Sequence, residues 1–338
     1  MRDGLVSRLA ERLTLFYWGI LSLCAGAAIY FTGMLLSLVR LTFFFSDPQL
    51  RHWNSLVLWY SGVPSTLGVL LIATDLFLLL PLKRGRRRIA RRLEAATDLT
   101  SKATVVLTAY NDESSIQQAV LDFRAHPRVA RVIVVDNNSR DGTARAAGES
   151  GALVEIEKAP GYGRCVYRCL QEGLRYEDTD YVVLCEGDCT FRAEDIHKLF
   201  SFISHADVIN GTRIVEQLRD EVTQLTTFMY YGNFFVGKLL EVKHLGKGTF
   251  TDVGTTYKMI RRSVLPELLK HLDPRVNLEF NAHFMDMALR LGLVMVECPV
   301  TFFPRVGVSK GGNVSNLRAL SVGSRMILGL TFGWRILT

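Results

Sequence analysis

Two long apolar runs dominate the first part of the chain. Residues 13–39 carry no charged side chain, and residues 55–80 carry only Asp75. A helix needs about 20 apolar residues to cross the hydrocarbon core of a bilayer, and each run exceeds that length. The pattern therefore predicts a two-helix transmembrane hairpin within residues 1–82. A cleaved signal peptide is not favoured, because the first run is too long and the second follows at once.

Positive charges flank this hairpin on both sides. Arg2, Arg8 and Arg12 precede the first run. A basic juxtamembrane linker at residues 83–100 begins with Lys83, Arg84, Arg86, Arg87, Arg88, Arg91 and Arg92. By the positive-inside rule these cations stay in the cytoplasm. We therefore expect a multi-pass protein of the cell (inner) membrane, with both termini and the bulk of the chain on the cytoplasmic side.

Three glycines recur at seven-residue spacing in the first run: Gly19, Gly26 and Gly33. Such a stripe of small residues suits close packing against a second helix, with ordinary glycine usage as the alternative. Asp75 lies near the predicted inner interface. We interpret it as a structural acid, snorkelling or paired with arginine, rather than a functional one.

The pattern changes at residue 103, where short β-rich apolar runs alternate with amphipathic segments. The predicted strands are residues 103–109, 131–136, 153–156, 181–186 and 207–210. The predicted helices are residues 114–126, a helix from 143, a helix from the glycines at 161 and 163 to 175, and residues 193–204. Alternating strands and helices indicate an α/β fold with a mostly parallel sheet.

The second half contains two apolar segments with scattered charges, residues 224–242 and 317–337. Both resemble amphipathic helices that lie in the membrane interface, with a buried core helix as the alternative. We therefore assign residues 313–338 to a C-terminal membrane-interface helix.

The charge and cysteine content add little further. The formal net charge of +7 is accounted for by the juxtamembrane cations, so we predict no nucleic-acid partner. The six cysteines of a cytoplasmic protein are expected to be thiols. Zinc binding by Cys165, Cys169, Cys185 and Cys189 is not favoured, because their spacing is CxxxC rather than CxxC.

Two apolar runs end in carboxylates: RVIVVDNNSRDGT at residues 131–143 and LCEGD at residues 184–188. A buried strand that stops at an acidic residue places that side chain at the carboxyl edge of the sheet, where open α/β folds bind ligands. Glu186 and Asp188 are separated only by Gly187, so both can reach one hard cation. The pair predicts a Mg²⁺ or Mn²⁺ site that holds a diphosphate.

Six segments in order resemble glycosyltransferase family 2. They are TAYNDE (108–113), VDNNSRDGT (135–143), CEGD (185–188), GTR (211–213), DVGTTYKMIRR (252–262) and PRVGVSKGG (304–312). The nearest branch resembles the polyprenyl-phosphate hexose synthases of the dolichyl-phosphate mannose synthase type. The resemblance implies a Rossmann-like GT-A catalytic domain over residues 101–312 and leaves the amino-terminal hairpin outside it.

The resemblance also implies residue roles. The donor-nucleotide contacts are Thr108, Tyr110, Asp112, Asp136, Glu186 and Gly187, with helix capping as a second role for Asp112. Glu186 and Asp188 are the metal ligands, although Glu replaces the first aspartate of the family's DxD pair. The catalytic set is Asp188 with the phosphate-binding cations Arg213, Arg305 and Lys310. The predicted acceptor side consists of Asp252, Thr255, Glu279, His283 and Ser309.

The expected function is transfer of a hexose, with inversion, from a UDP- or GDP-linked sugar to polyprenyl phosphate or another lipid acceptor. A lipid phosphate is largely ionised at neutral pH, with a second pKa of about 6, so it needs no general base. A hydroxyl acceptor, the alternative, would need a base. The candidates are Asp252, Glu279, His283 and Asp286, of which the last three share one helix face.

Other classes fit the sequence less well. A membrane-bound nucleotide-sugar sensor without turnover is less favoured, because nothing is missing from the donor motifs. Sugar nucleotidyltransferases would show LxAGxGTR, and processive synthases would show QxxRW; neither string occurs. A homo-oligomer is compatible with the sequence.

Overall fold

The computed structural model describes residues 13–44, 47–80, 101–220, 223–245, 247–307 and 315–338. The chain divides into two compact units, Met1–Ala90 and Arg91–Thr338. The basic linker at residues 83–100 lies outside the described residues.

The described part of the first unit is helical. It contains α1 (Leu15–Phe43), α2 (Pro48–Tyr60) and α3 (Gly62–Thr74), followed by a π-helical turn at Asp75–Leu79. Two helices, Leu15–Phe43 and Pro48–Leu79, are long and apolar enough to cross a membrane. The second begins earlier than the predicted residue 55, because Asp47 accepts the Gln49 and Leu50 backbone N–H groups and so caps α2.

The glycine stripe lies on the face of α1 that packs against α2 and α3. Gly19, Gly26 and Gly33 are all buried. A Cβ atom at Gly19 would come within 2.6 Å of Ile72 Cγ1, and one at Gly26 within 2.2 Å of Ser65 Oγ. Such distances leave no room for a methyl group, which confirms that the stripe serves helix packing.

Asp75 is fully buried between these helices. Its Oδ2 accepts the backbone N–H of Phe16 at 2.7 Å. The first N–H groups of a helix have no partner within the helix, so this carboxylate supplies one from a distant part of the chain. Asp75 therefore acts as a structural cap for α1, consistent with the predicted structural role.

The second unit is built on a seven-stranded sheet with the order β3-β2-β1-β4-β6-β5-β7. The strands are β1 (Ala103–Ala109), β2 (Val129–Asp136), β3 (Leu153–Ile156), β4 (Tyr181–Glu186), β5 (Val208–Thr212), β6 (Lys258–Arg261) and β7 (Met295–Pro299). β6 runs antiparallel to both neighbours, and the other pairs are parallel. The mostly parallel α/β prediction is confirmed.

Eight helices of the described residues pack around this sheet. They are α4 (Glu113–Ala125), α5 (Thr143–Glu149), α6 (Tyr162–Leu174), α7 (Ile196–Ile203), α8 (Thr227–Lys243), α9 (Leu265–His271), α10 (Phe280–Arg290) and α11 (Asn316–Phe332). Short 3₁₀ turns lie at Ala193–Asp195, Glu216–Leu218, Arg262–Val264 and Trp334–Leu337. The predicted start at residue 114 is off by one residue.

The two apolar segments of the second half form α8 and α11, which pack side by side. Thr226 Oγ1 donates to Asn316 Oδ1 at their amino ends, and Lys243 Nζ donates to the Leu330 carbonyl near their carboxyl ends. The two helices therefore run in the same direction. The part of the predicted C-terminal segment that the structure describes, residues 315–338, packs within the second unit rather than apart from it.

Candidate active site

Three loops that follow neighbouring strands each contain a residue with a left-handed backbone conformation. Asn111 follows β1, Asn138 follows β2 and Cys189 follows β4, with φ angles of 51°, 62° and 64°. Among the described residues these are the non-glycine positions with positive φ. Such conformations cost free energy and persist where the surrounding structure enforces them, often at functional sites.

A cavity of about 610 Å³ opens at this edge of the sheet. Its polar end is lined by residues that follow β1, β2 and β4 and by two arginines: Thr108, Tyr110, Asp112, Asn137, Asn138, Arg140, Glu186, Asp188, Arg213 and Arg305. The sheet thus brings together side chains that are far apart in sequence, as expected for the ligand crevice of an open α/β fold.

The segment after β1 is fixed by backbone contacts. Asp112 Oδ2 accepts the Tyr110 N–H at 3.0 Å, and the Asp112 N–H donates to Thr143 Oγ1 at 2.8 Å. The Gly187 N–H donates to the Thr108 carbonyl at 2.9 Å, which ties the loop after β4 to β1. Tyr110 is 45% exposed and lines the cavity.

The segment after β2 differs from the prediction in one respect. The Asp136 carboxylate is buried and accepts hydrogen bonds from the backbone and hydroxyl of Ser139. Asn137, Asn138 and Arg140 line the cavity instead. Asp136 therefore holds the loop after β2 in place through Ser139. Direct contact between its carboxylate and the donor nucleotide stays a prediction.

Glu186, Asp188 and Arg305 form the charged centre of the polar end. Arg305 Nη1 lies 3.0 Å from Asp188 Oδ2, and Arg305 Nη2 donates to Asp112 Oδ1 at 2.9 Å. Asp188 Oδ1 accepts both the backbone N–H and the hydroxyl of Thr190. Arg305 thus neutralises two acids that come from different strands.

The pKa of Glu186 is raised to about 7, first by burial and then by the negative charge of Asp188. Arg305 and the Thr256 hydroxyl act in the opposite direction. At neutral pH Glu186 is therefore poised between its protonated and ionised forms, and a bound cation would favour the ionised form.

The residues present fit a hard divalent cation. Asp188 Oδ2 is buried and accepts no hydrogen bond of normal geometry within the described residues, and its nearest charged partner is the Arg305 guanidinium at 3.0 Å. No cluster of three or more His, Cys, Asp or Glu side chains forms a metal site in that part of the chain. The protein can thus supply two carboxylates, which suits an ion that takes its other oxygens from water and substrate phosphates.

Arg213 lines the cavity but is already paired. Its Nε and Nη2 donate to the two carboxylate oxygens of Asp252, at 2.7 and 2.8 Å. Burial would raise the pKa of Asp252, but Arg213 outweighs this effect and holds it below the usual value. The bidentate pair fixes the guanidinium plane at the cavity wall.

The other wall of the cavity is largely apolar and comes from α8 and α11. The lining residues of these helices are Phe228, Met229, Gly232, Asn233, Val236, Arg318, Ala319, Val322, Gly323 and Met326. The cavity is therefore polar where the strands end and mostly apolar where the two helices meet.

Comparison with known proteins agrees with this architecture. Residues 104–269 match the family model described as glycosyl transferase family 2. These residues form a glycosyltransferase family 2 domain. The glycosyltransferase AglJ of Haloferax volcanii is 25% identical over 236 residues, covering 68% of this chain and 72% of that protein.

Two further relatives of this family 2 enzyme are informative. The low-salt glycan biosynthesis hexosyltransferase Agl6 of H. volcanii is 28% identical over 222 residues; these cover 64% of this chain but only 51% of that protein. Glucosyl-3-phosphoglycerate synthase of Mycobacterium tuberculosis, solved with Mn²⁺, UDP-glucose and phosphoglyceric acid, superposes with a TM-score of 0.52. It is 19% identical and covers 70% of this chain and 82% of its own, so it supports the GT-A fold alone.

The predicted acceptor-side residues of this glycosyltransferase do not gather at the cavity. Ser309 and Lys310 lie outside the described residues. Asp252, Thr255, Glu279 and His283 are buried and absent from the cavity lining. Glu279 Oε1 instead lies 2.5 Å from Arg325 Nε. His283 Nε2 accepts the Asp273 N–H, and burial lowers the pKa of His283 to about 4.

Asp286 anchors a buried polar cluster behind the apolar wall. Its carboxylate accepts hydrogen bonds from Lys243 Nζ and Trp334 Nε1, bonds to His244 Nε2 at 2.7 Å and pairs with Arg290 at 3.1 Å. Burial would raise the pKa of Asp286, but these partners hold it well below its usual range. Asp286 therefore fastens α8 and the C-terminal turn to α10.

Sequence reasoning missed a hydrogen-bonded row beside Glu186. The Thr256 hydroxyl donates to Glu186 Oε1 at 2.7 Å, and Tyr162 Oη lies 2.5 Å from Thr256 Oγ1. Asn281 Nδ2 in turn donates to Tyr162 Oη at 2.9 Å. No local pattern signals this row, because its members are 70 to 119 positions from their partners.

Proposed function

We propose that this chain is an inverting, metal-dependent glycosyltransferase that moves a hexose from a nucleotide-diphosphate sugar to polyprenyl phosphate at the cytoplasmic membrane face. The observation that carries the proposal is the two-ended cavity. Its polar end suits a sugar nucleotide, and its apolar wall of α8 and α11 suits a hydrocarbon tail.

The donor half rests on the residues after β1 and β4. Tyr110 offers a ring for the base, and Glu186 with Asp188 offers two carboxylates for a divalent ion. A bound Mg²⁺ or Mn²⁺ would neutralise charge on the departing nucleoside diphosphate. Arg213 and Arg305 lie on the same cavity surface, where guanidinium groups complement phosphate oxygens.

The proposal of a phosphate acceptor rests partly on the ion pairs that the candidate general bases already form. Asp252 is paired with Arg213, Glu279 with Arg325, and Asp286 with Lys243 and Arg290. Each of these groups would have to leave an ion pair before it could remove a proton. An ionised lipid phosphate needs no such base, since its own oxygen is the nucleophile.

Arg318 is the cation we assign to the acceptor phosphate. It lines the cavity from the first turn of α11, next to apolar side chains. No acid is paired with its guanidinium among the described residues, whereas Arg213 and Arg305 are matched by Asp252, Asp112 and Asp188. The phosphate of a lipid acceptor could bind Arg318 while its apolar tail contacts the neighbouring apolar side chains.

Membrane attachment is the second part of the proposal. The two apolar helices of the first unit would form the anchor. In the second unit, α8 exposes Tyr231 and Phe235, and α11 exposes Leu320 and Phe332. Exposed apolar side chains of this size are typical of surfaces that contact a bilayer.

The test is a product assay with the full chain in membranes. Radiolabelled UDP- and GDP-hexoses are supplied with polyprenyl phosphate and Mn²⁺, and the lipid product is treated with mild acid. A lipid-phosphate sugar releases its hexose under mild acid; an acid-stable glycoside would instead identify a hydroxyl acceptor. Absence of turnover with every donor would favour a sugar-nucleotide sensor.

Two aspartate variants control this assay. Asp188→Asn removes one predicted metal ligand and should abolish transfer. Asp178→Asn makes the same chemical change at an exposed acid whose partner is Arg131, outside the cavity. It should keep wild-type activity, so equal losses in both variants would contradict the site assignment.

A further inference from the structure

The row beside Glu186 has a defined hydrogen-bond direction. Asn281 Nδ2 also donates to the Gly254 carbonyl, which can only accept, and this contact fixes the orientation of the amide. Tyr162 Oη therefore accepts a hydrogen bond from Asn281 Nδ2 and donates one to Thr256 Oγ1. The Thr256 hydroxyl then donates to Glu186 Oε1.

The row joins three elements that are far apart in the sequence. Tyr162 begins α6, and its backbone N–H donates to Asn277 Oδ1 at 2.7 Å. Thr256 precedes β6, and Asn281 lies in the first turn of α10. Thr256 and Asn281 are almost completely buried. Side chain to side chain networks of this kind are a minor class of protein hydrogen bonds and fix geometry closely.

Glu186 stands where the family pattern has the first aspartate of its metal-binding pair. A glutamate has one more methylene group and one more rotatable bond than an aspartate, so its carboxylate can take more positions. A hydrogen bond to Oε1 removes this freedom while leaving Oε2 to another partner. A ligand held in this way loses less entropy when it binds a metal.

We propose that Thr256, Tyr162 and Asn281 are positioning residues that orient Glu186 as a metal ligand and so compensate for its extra methylene. This inference rests on the proposed metal-dependent function. It assigns no metal contact to the three side chains themselves, which act through Glu186.

The test measures Mn²⁺ affinity rather than turnover. Full-length protein is titrated with Mn²⁺ alone, and free Mn²⁺ is followed by electron paramagnetic resonance. Thr256→Val keeps the shape of the side chain but removes the hydroxyl, and should weaken binding by about 10-fold or more, as loss of an outer-shell partner does. Tyr162→Phe should weaken it less, because Thr256 retains its own contact. Thr256→Ser should restore most of the affinity.

A matched control separates orientation from general damage. Thr104→Val removes an equally buried hydroxyl in β1. This hydroxyl is hydrogen-bonded to Thr179 Oγ1 at 2.9 Å, and Thr104 does not line the cavity. It should leave Mn²⁺ affinity unchanged. In a Glu186→Asp background, Thr256→Val should have little further effect, because the shorter side chain cannot keep the same contact.

The outcomes distinguish this inference from the proposed function. If Thr256→Val binds Mn²⁺ like the wild type while Glu186→Ala does not, the positioning role is wrong and the metal site stands. Full additivity of Thr256→Val and Glu186→Asp would also overturn it. If Glu186→Ala and Asp188→Ala both bind Mn²⁺ normally, the proposed metal site itself fails.

Discussion

Gly323 offers a direct test of the apolar end of the cavity. It lies on the cavity-lining face of α11, and a Cβ atom built there meets no other atom within 4 Å. The Cβ of a Gly323→Leu side chain therefore has room at the cavity wall, and its isobutyl group adds volume there. Leucine is a better helix former than glycine by about 0.8 kcal/mol, so the folded protein should become slightly more stable, with a Tm higher by roughly 2 °C.

The same substitution should weaken acceptor binding. If the new isobutyl group displaces two or three methylenes of a lipid tail, at about 0.8 kcal/mol each, the loss is about 2 kcal/mol. This corresponds to a roughly 30-fold higher KM for the acceptor. Affinity for the sugar nucleotide should not change, because the polar end of the cavity is untouched.

The assay compares wild type and variant in detergent micelles. The acceptor is titrated at saturating donor, nucleotide affinity is obtained from ligand-induced thermal shifts, and Tm is recorded without ligand. Gly329→Ala on the same helix is the control for stability, since its Cβ would lie 2.4 Å from Trp334 Cε3 and should lower Tm. An unchanged acceptor KM in a Gly323→Leu protein with raised Tm would refute a tail that runs along α11.

Three further predictions concern other parts of the molecule. Mn²⁺ should bind more tightly as pH rises from 6 to 8, because Glu186, with a pKa of about 7, loses the proton that competes with the metal; Glu186→Gln should abolish this dependence in the same titration. Trp334→Phe removes the indole donor to Asp286 at 2.8 Å and should cost about 1.5–3 kcal/mol in denaturation experiments, and an unchanged midpoint would contradict the buried cluster. Gly19→Ala places a methyl 2.6 Å from Ile72 Cγ1 and should destabilise the helical hairpin by about 1–3 kcal/mol, measured as a lower unfolding temperature in detergent.

Of the strands whose bounds the sequence predicts best, β1 and β4 are buried along nearly their whole length, whereas β3 is a partly exposed edge strand. The predicted bounds of β1, β3 and β4 match the structure, because each is a short apolar run set off by polar or glycine residues. β6 and β7 were both missed. β6 contains Lys258 and Arg261 and pairs antiparallel with strands far away in the sequence, so neither its composition nor its neighbours mark it as a strand.

The candidate site also contains residues that the sequence could place and residues that it could not. Asp112, Glu186 and Asp188 follow recognisable strands, so their meeting at one sheet edge could be predicted. The i, i+4, i+7 spacing of Glu279, His283 and Asp286 correctly suggested a shared helical region, but it could not reveal what that face meets. Their partners come from α8, α11 and the C-terminal turn, and only tertiary packing brings these together.

The same limit applies to the cavity itself. Residues 224–242 and 317–337 were predicted as helices from their apolar pattern, and both segments are helical. Their pairing into a cavity wall depends on contacts such as Thr226 with Asn316, which join positions 90 residues apart. No periodicity within either segment contains that information.

The left-handed backbone at Asn111, Asn138 and Cys189 bears on how this protein tolerates change. Glycine at these positions would relieve the conformational penalty and also widen the range of shapes open to each loop. Selection for heat resistance and selection for turnover would then act in opposite directions on the same three positions. Screens for thermostable variants should therefore leave these three positions unchanged.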